Sequence, residues 1–339
     1  MKAIVIHGAE DLRVDDLPDP APAPGEVIVQ IEYGGICGSD LHYVKHGAAG
    51  TSVLREPMVL GHEAAGRIVA LGATASKELL GARVAIHPGK PCARCEPCLG
   101  GMSNLCVSMN YFGSAAHLPH SHGVFAQYKA VPVGQIRLLP DYLSTRAAAT
   151  AEPLAVAIHA VRQVSDIKNK TVLVNGAGPI GSLIVAAARA AGAGYIFVSD
   201  LEDASLAVAV RMGADSTVNV DRSEALPVDV DVVFEATGVP MTVAGCLTAA
   251  RRRGTVVQVG MLPLGEIAAP LSSIVSKELT FRGAFRFIDE ISDAVELLAG
   301  GLDVEPLLTH TFSLDQVPEA FRISTDRSEA SKVLLDFSL

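Results

Sequence analysis

The sequence predicts an α/β protein with a β-rich first part and a doubly wound parallel sheet in its second part. Up to about residue 145, apolar and polar residues alternate in short runs between Gly- and Pro-containing segments, as in half-buried strands. After about residue 146, apolar strands alternate with helical stretches, which is typical of a parallel sheet with helical crossovers. The length of 339 residues exceeds what one hydrophobic core usually organises, which favours two domains.

In the first part, MKAIVIHG and EVIVQIEYGG have the alternation of strands, and the Pro-rich LPDPAPAPGE between them is interpreted as a loop inside the domain. In the second part, SLIVAAARAAG, SLAVAVRMG and MTVAGCLTAARR are long enough for crossover helices. The tail from about residue 286 returns to mixed patterning, and its KVLLDF is predicted to be a closing strand in the first domain. The six strands predicted for the sheet are 171–176, 195–200, 216–220, 231–237, 254–261 and 278–285.

The charge balance argues against several classes of partner. The net charge is -10, and the sequence contains no Lys/Arg-rich run, so nucleic acid and anionic membranes are poor candidates. The start, MKAIVIHGAEDLRV, reaches acidic residues too early for a secretory signal, and the apolar stretches are too short to span a membrane. We therefore expect a cytoplasmic protein, in which disulfides rarely persist.

A glycine-rich turn follows the first predicted strand of the sheet. In TVLVNGAGPIGSLIV, Gly176, Gly178 and Gly181 form G-x-G-x-x-G around Pro179 and Ile180, directly before a predicted helix. Such a Rossmann turn places a pyrophosphate at the N-terminus of the helix; the alternative is a glycine turn that only packs. An acidic residue at the end of the next strand, Asp200, would bind ribose hydroxyls and repel a 2′-phosphate. No Arg occurs at 201–204, so NAD is favoured over NADP.

Four of the six cysteines lie in PCARCEPCLGGMSNLC with C-x2-C-x2-C-x7-C spacing. Four thiolates can close a tetrahedron around Zn²⁺, which leaves no position for substrate and predicts a structural site. An iron–sulfur cluster and plain buried cysteines are the alternatives. The predicted ligands are Cys92, Cys95, Cys98 and Cys106.

A catalytic metal would need an open position and other ligands. Candidates are Cys37 in GGICGSDLH, His62 and Glu63 in GHEAAG, and Glu152 in AEPLAVAIH. Each alone has an ordinary structural explanation, such as a core thiol, a buried histidine or a carboxylate at a helix start. In combination with a dinucleotide turn and a four-cysteine loop, they favour a second metal site.

These motifs occur in the order found in the zinc-dependent medium-chain dehydrogenases, and the chain resembles the polyol branch of that family over essentially its whole length. The resemblance implies a GroES-like β-barrel catalytic domain formed by residues 1–145 with 286–339, and a Rossmann NAD-binding domain at 146–285. It also implies one catalytic and one structural Zn²⁺ per subunit, and a homodimer or homotetramer.

The resemblance assigns roles to individual residues. Cys37 and His62 match catalytic zinc ligands, and Glu152 stands where alcohol dehydrogenases have a second cysteine. Glu63 either coordinates zinc directly or lies behind the ligands, so Glu63 and Glu152 are expected to share the remaining positions. Ser39 matches a proton-relay hydroxyl, and His42 or the cofactor ribose could pass the proton outward; alternatively, His42 is a surface histidine.

Softer matches concern the cofactor and the substrate. Cofactor contacts are expected after two strands, at Thr237, Val259, Gly260 and Met261. Positions that line the polyol pocket in relatives are Tyr43, Phe112 and Arg286. The guanidinium of Arg286 could bind the carboxylate of a sugar acid.

The resemblance implies zinc-dependent oxidation of a secondary hydroxyl of a sugar acid, L-idonate to 5-keto-D-gluconate, with NAD. A neutral polyol such as sorbitol, L-iditol or xylitol is the alternative substrate. A non-catalytic NAD(H)-binding protein is disfavoured because Cys37, His62 and a carboxylate are all present.

Overall fold

The computed structural model describes residues 1–338, which divide into two compact units. The first unit contains Met1–Glu152, Ile291–Asp326 and the chain from Lys332 onward. The second contains Pro153–Glu290 and the short segment Arg327–Ser331. Among the described residues, no helix combines the length and the apolar character needed to cross a membrane.

The first unit is built mainly from strands. Before the second unit begins, the strands are β1 (Lys2–Gly8), β2 (Asp11–Asp16), β3 (Glu26–Gly35), β4 (Ala48–Ala49), β5 (Ser52–Val53), β6 (Met58–Val59), β7 (Glu63–Leu71), β8 (Arg83–Ile86), β9 (Gly89–Lys90), β10 (Asn110–Tyr111), β11 (Tyr128–Pro132) and β12 (Ile136–Leu138). The helices over the same stretch are α1 (Gly38–His46), α2 (Glu96–Leu99) and α3 (Thr145–Ala148).

A seven-stranded sheet forms the centre of this unit, with strand order β12-β8-β7-β3-β20-β19 and with β11 also paired to β3. Its last two strands come from the tail, which folds as α9 (Glu290–Ala299), β19 (Leu308–Ser313), α10 (Val317–Ser324) and β20 (Lys332–Asp336). The KVLLDF segment thus lies beside β3, where Leu334 pairs with Gly35 in an antiparallel register. The sheet brings the beginning of β7 and the beginning of β20 to the same end of β3.

The second unit is a six-stranded parallel sheet with strand order β15-β14-β13-β16-β17-β18. Its strands are β13 (Thr171–Asn175), β14 (Tyr195–Asp200), β15 (Ser216–Asn219), β16 (Val230–Glu235), β17 (Ala250–Gln258) and β18 (Thr280–Gly283). The helices along this stretch are α4 (Ala151–Arg162), α5 (Pro179–Ala190), α6 (Asp203–Arg211), α7 (Thr242–Ala249) and α8 (Ser272–Lys277). This sheet confirms the predicted doubly wound class, because the order reverses on either side of β13.

The element ends differ from the sequence predictions in two informative places. The helix predicted from MTVAGCLTAARR ends at Ala249, and β17 begins at Ala250 and runs through its Arg residues. The strand predicted to reach residue 261 ends at Gln258, so that Val259–Met261 is a loop at the carboxyl edge of the sheet. Here Val259 and Gly260 both donate their N–H groups to the Glu235 carbonyl oxygen, each at 2.9 Å, which turns the chain out of β17.

Candidate functional site

Three of the predicted catalytic ligands lie together in the first unit. The donor atoms of Cys37, His62 and Glu63 are within 4.8 Å of one another. Cys37 immediately precedes α1, His62 immediately precedes β7, and Glu63 is the first residue of that strand. A thiolate, an imidazole and a carboxylate oxygen are donors that a catalytic zinc ion uses, so these residues fit that metal.

Asp40 holds the two ligand-bearing loops together. One of its carboxylate oxygens accepts the Cys37 N–H at 2.9 Å, and the other accepts the Gly61 N–H at 3.2 Å. Its side chain is fully buried, and this burial raises the pKa of the carboxyl group. Because one residue spans both loops, the spacing between Cys37 and His62 depends on Asp40.

Glu63 forms a buried ion pair with Lys332, the first residue of β20. The Lys332 ammonium lies 2.8 Å from each Glu63 carboxylate oxygen and 3.0 Å from the Ile36 carbonyl oxygen. The side-chain exposures are 3% for Lys332 and 1% for Glu63, so neither charge is solvated by bulk water. Gly35 leaves room for the carboxylate, since a Cβ atom there would stand 2.2 Å from Glu63 Oε2.

Glu152 lies outside the group of three and is held by Tyr111. The Tyr111 hydroxyl donates to Glu152 Oε1 at 2.6 Å, and the Tyr111 ring centroid is 5.9 Å from that of His62. Burial raises the pKa of the Glu152 carboxyl, and the charge of Glu63 adds to this effect. Burial alone would lower the pKa of His62, but the acidic groups around it, Cys37 foremost, raise it well above its ordinary value.

The three residues of α1 that are predicted to belong to a proton relay or a substrate pocket differ in their exposure to solvent. On α1, Ser39 is half-buried and His42 is exposed, with its ring stacked 5.9 Å from that of His46. Tyr43, on the same helix, is buried, and its hydroxyl accepts the Ala115 N–H at 3.0 Å.

Phe112 and Arg286, the other two predicted pocket residues, each take part in a contact between a cation and an aromatic ring. Lys129 Nζ lies 4.5 Å from the centroid of the Phe112 ring, and burial lowers the pKa of this lysine to about 8. Arg286 belongs to the second unit, where its guanidinium lies 4.8 Å from the centroid of the Phe285 ring.

The four cysteines of the loop converge as their spacing predicts. The sulfur atoms of all four lie within 4.8 Å of one another. Cys95 and Cys98 sulfurs are 3.3 Å apart, and the Cys92 N–H donates to the Cys106 sulfur at 3.2 Å. The N–H groups of Arg94 and Cys95 lower the pKa of Cys92 to about 6, which favours the thiolate that metals bind. Four such sulfur atoms fit a closed zinc site.

The glycine turn has the geometry that its motif requires. Gly176 has φ +105°, a conformation that side chains disfavour. A Cβ atom at Gly181 would stand 1.8 Å from the Gly176 carbonyl oxygen, so only glycine allows α5 to begin there. The Asp200 carboxylate accepts the Ala177 N–H at 2.6 Å, which ties the end of β14 to the turn. Oδ1 accepts the N–H groups of Leu201 and Glu202 at 2.7 Å and 3.2 Å, whereas Oδ2, which accepts the Ala177 N–H, keeps a second lone pair that can accept a hydrogen bond from a ribose hydroxyl.

The loops after β16 and β17 approach one another closely. Gly238 has φ +68°, and a Cβ atom there would be 2.6 Å from the Met261 carbonyl oxygen. A Cβ atom at Gly260 would be 2.1 Å from the Gly238 nitrogen. Thr237, for its part, lies against Gly176 of the glycine turn. The predicted contacts Thr237, Gly260 and Met261 therefore belong to one continuous group of loops at the carboxyl edge of the sheet.

The comparisons agree with this geometry. Residues 23–141 match the alcohol dehydrogenase GroES-like domain, and residues 179–300 match the zinc-binding dehydrogenase family. The chain belongs to the zinc-dependent medium-chain dehydrogenases. This membership confirms the resemblance inferred from the motifs and the GroES-like assignment of the first part.

Individual relatives show how far the likeness extends. The chain is 42% identical over 317 residues to L-idonate 5-dehydrogenase (NAD(P)(+)) of Escherichia coli, covering 91% of each chain. It is 36% identical over 345 residues to sorbitol dehydrogenase of Bacillus subtilis, covering 99% of this chain and 97% of the relative. The crystal structure of L-idonate 5-dehydrogenase from Escherichia coli matches with a TM-score of 0.90 at 38% identity, covering 99% and 97%.

Sequence reasoning missed four residues that shape these sites: Asp40, Tyr111, Glu235 and Lys332. For two of them the sequence carries a usable signal, namely a charge inside an apolar strand, as in VVFEATG and SKVLLDF. A buried charge needs a partner, so each of these positions predicts an interaction even when the partner cannot be named. Asp40 and Tyr111 stand in ordinary polar contexts and give no comparable signal.

Proposed function

We propose that the protein oxidises a secondary hydroxyl of a sugar acid, L-idonate to 5-keto-D-gluconate, with NAD as the hydride acceptor. The grouping of Cys37, His62 and Glu63 within 4.8 Å carries the dehydrogenase part of this proposal. The likeness to L-idonate 5-dehydrogenase supports the sugar-acid substrate. When bound, zinc lowers the pKa of the substrate hydroxyl and NAD accepts the hydride from its carbon.

The remaining steps depend on side chains of this chain. Ser39 Oγ would accept the proton of the substrate hydroxyl as its own hydroxyl proton passes on, and the exposed imidazole of His42 would deliver a proton to solvent. Cys37, His62 and Glu63 would hold the catalytic zinc, because these three donor atoms are already within reach of one ion. Glu152, fixed by Tyr111, would supply a further ligand or a hydrogen bond to a water molecule there.

The preference for NAD rests on Asp200. Its carboxylate is fixed beside the glycine turn by the Ala177 N–H, so a 2′-phosphate would enter a site that already holds a negative charge. The predicted carboxylate contact, Arg286, would pair with the acid group of the substrate.

The decisive experiment compares L-idonate with L-iditol, sorbitol and xylitol by following NADH formation with the zinc-loaded enzyme. We expect kcat/KM for L-idonate to exceed that of each neutral polyol at least about a hundredfold, roughly 2.7 kcal/mol. Arg286→Ala should remove most of this difference. Arg252→Ala, which changes an exposed arginine of the same unit, serves as the control. Equal use of a neutral polyol would contradict the sugar-acid assignment.

A neutral polyol is the second candidate substrate. Sorbitol dehydrogenase of Bacillus subtilis matches 99% of the chain at 36% identity, which favours this alternative. Substrate choice within one fold depends on few pocket residues, so the ratio of kcat/KM values for L-idonate and the neutral polyols decides between the two candidates.

A further inference from the structure

Glu235 is a buried carboxylate in the second unit that the catalytic scheme does not use. It is the last residue of β16, and its exposure is 0%. Five donors converge on it, and all are neutral: the N–H and hydroxyl of Thr237, the Gly238 N–H, the Thr242 hydroxyl and the Gln258 amide. Burying a carboxylate in this way is unfavourable unless each oxygen is fully hydrogen-bonded, so the position demands an explanation.

Its neighbours form a polar row across the sheet. Glu235 stands directly opposite Asn175 on β13 and directly opposite Gln258 on β17. Asn175 stands opposite Ser199 on β14. Residues in the same register point to the same face of a sheet. These four side chains therefore form a row across four adjacent strands, at or next to the last residue of each strand. Apolar side chains at these positions would be enough to pack the sheet, so the polar row indicates a role other than packing.

The two oxygens of Glu235 serve two different loops. Oε1 accepts the Thr237 N–H at 2.8 Å and the Thr242 hydroxyl at 3.0 Å, which fixes the loop between β16 and α7. Oε2 accepts the Gly238 N–H at 3.1 Å and the Gln258 amide, and that amide also donates to the Gly260 carbonyl oxygen at 2.8 Å. The carboxylate therefore sets the spacing between the loop after β16 and the loop after β17.

The position of these loops identifies the part of the ligand that they face. In an open parallel sheet, a dinucleotide lies across the carboxyl edge, over the point where the strand order reverses. Asp200, at the end of β14, marks the adenosine side of β13. The other half of the dinucleotide must then lie over β16 and β17, on the far side of the glycine turn.

We propose that Glu235 is a positioning residue, whose carboxylate holds the loops after β16 and β17 in the arrangement that receives the nicotinamide half of the cofactor. This inference rests on the proposed function, because it presupposes that the protein binds NAD. Glu235 itself does not touch the cofactor, since its oxygens are occupied by the loops.

The test separates the two halves of the dinucleotide. NADH binding is measured by fluorescence, and binding of ADP-ribose, which lacks nicotinamide, is measured by calorimetry. Glu235→Gln keeps the volume of the side chain but turns an NH₂ group toward N–H donors. We expect it to weaken NADH binding about tenfold while ADP-ribose binding changes less than about twofold.

Two control variants distinguish positioning from general destabilisation. Val233→Ala removes buried volume two residues earlier on the same face of β16, so it should lower the Tm without changing the ratio of the two affinities. Glu224→Gln removes an exposed carboxylate that accepts the N–H of Asn219, and it should change neither the Tm nor the ratio of the two affinities. If Glu235→Gln fails to fold, Thr242→Val removes one of the five donors and should shift the ratio in the same direction by a smaller factor.

An unchanged ratio in Glu235→Gln, in a wild-type background that binds both ligands, would overturn this inference alone. The same holds if Val233→Ala shifts the ratio as much as Glu235→Gln does. A wild-type protein that binds neither NADH nor ADP-ribose would overturn the proposed function together with the inference.

Discussion

The two units each bury a glutamate at a functional edge, and they stabilise it in opposite ways. In the first unit, Glu63 is bound by the ammonium of Lys332, which donates to both carboxylate oxygens. In the second unit, Glu235 is bound by five neutral donors. The charge is thus compensated by a cation in one case and distributed over hydrogen bonds in the other.

The difference matches what each site is proposed to bind. In the group of Cys37, His62 and Glu63, the ion pair with Lys332 limits the negative charge beside the Cys37 sulfur and fixes the position of Glu63, one of the three donors that would hold zinc. The dinucleotide edge needs loops with a defined spacing, which a hub of directional hydrogen bonds supplies. A substitution in the first unit should therefore change turnover or stability without changing cofactor binding. A substitution in the second unit should change cofactor binding or stability without removing the metal donors.

The largest expected effect is on turnover, from the loss of a metal ligand in the first unit. Cys37→Ser should reduce kcat/KM by at least about ten-thousandfold, ~5.5 kcal/mol, because the metal that activates the hydroxyl loses its thiolate. NADH affinity should stay within about twofold of wild type, because the second unit is unchanged. Steady-state kinetics and NADH fluorescence measure these two quantities, with the zinc content determined alongside, and near-wild-type turnover would refute the assignment of Cys37.

The next largest effect is on the stability of the first unit. Lys332→Met leaves Glu63 as an unpaired buried charge and should lower the free energy of unfolding of the zinc-free protein by about 4 kcal/mol. The double variant Glu63→Gln/Lys332→Met should recover most of this loss, since it removes both charges. Denaturant unfolding of the four proteins in the cycle gives the coupling energy. A value near zero would show that the pair contributes nothing.

Another buried glutamate, Glu290, tests the comparison inside the second unit. Burial alone would raise its pKa, but hydrogen bonds from His159 and the Ile288 N–H outweigh burial and lower the pKa to about 2. The folded-state pKa lies below the ordinary value of 4.5, so the carboxylate stabilises the fold above about pH 4.5. This contribution, about 3 kcal/mol, is lost as the pH falls through the folded-state pKa.

Glu290→Gln should accordingly be less stable than wild type at neutral pH, and the two should converge near pH 2. Unfolding free energies measured across this pH range provide the test. Glu296→Gln, which changes an exposed carboxylate of the same helix α9, is the control and should leave the wild-type pH dependence unchanged. A gap between wild type and Glu290→Gln that does not vary with pH would argue against the proposed ionisation.

The smallest effect concerns cofactor choice. Asp200→Asn removes the negative charge that opposes a 2′-phosphate and should shift the ratio of kcat/KM for NADP over NAD by about tenfold, ~1.4 kcal/mol. Asp203→Asn is the matched control, because that carboxylate is paired with Arg222. Equal shifts in the two variants would point to a general charge effect rather than to a specific contact of Asp200.

The features that the sequence predicted well are those encoded locally. The glycine turn and the four-cysteine loop are each contained within one short segment, so their spacing alone describes the geometry. The relation between Glu63 and Lys332 joins residues 269 positions apart, and no local pattern could pair them. The roles of Glu63 and Glu152 depend on that pairing and on the Tyr111 bond, which is why the sequence left the two glutamates unranked.

The separation in sequence between Glu63 and Lys332, the first residue of β20, has a consequence for folding during synthesis on the ribosome. Lys332 is added 269 residues after Glu63, which at 5–20 residues per second is a delay of roughly 15 to 50 s. Once Glu152 has been added, the nascent chain carries every ligand candidate of the first unit but still lacks the cation that neutralises Glu63. A chain ended before Lys332 also lacks β20, which pairs with β3 next to Glu63, so it should contain all the motifs of the family and still bind zinc poorly, and zinc titration of such a truncated chain would test this directly.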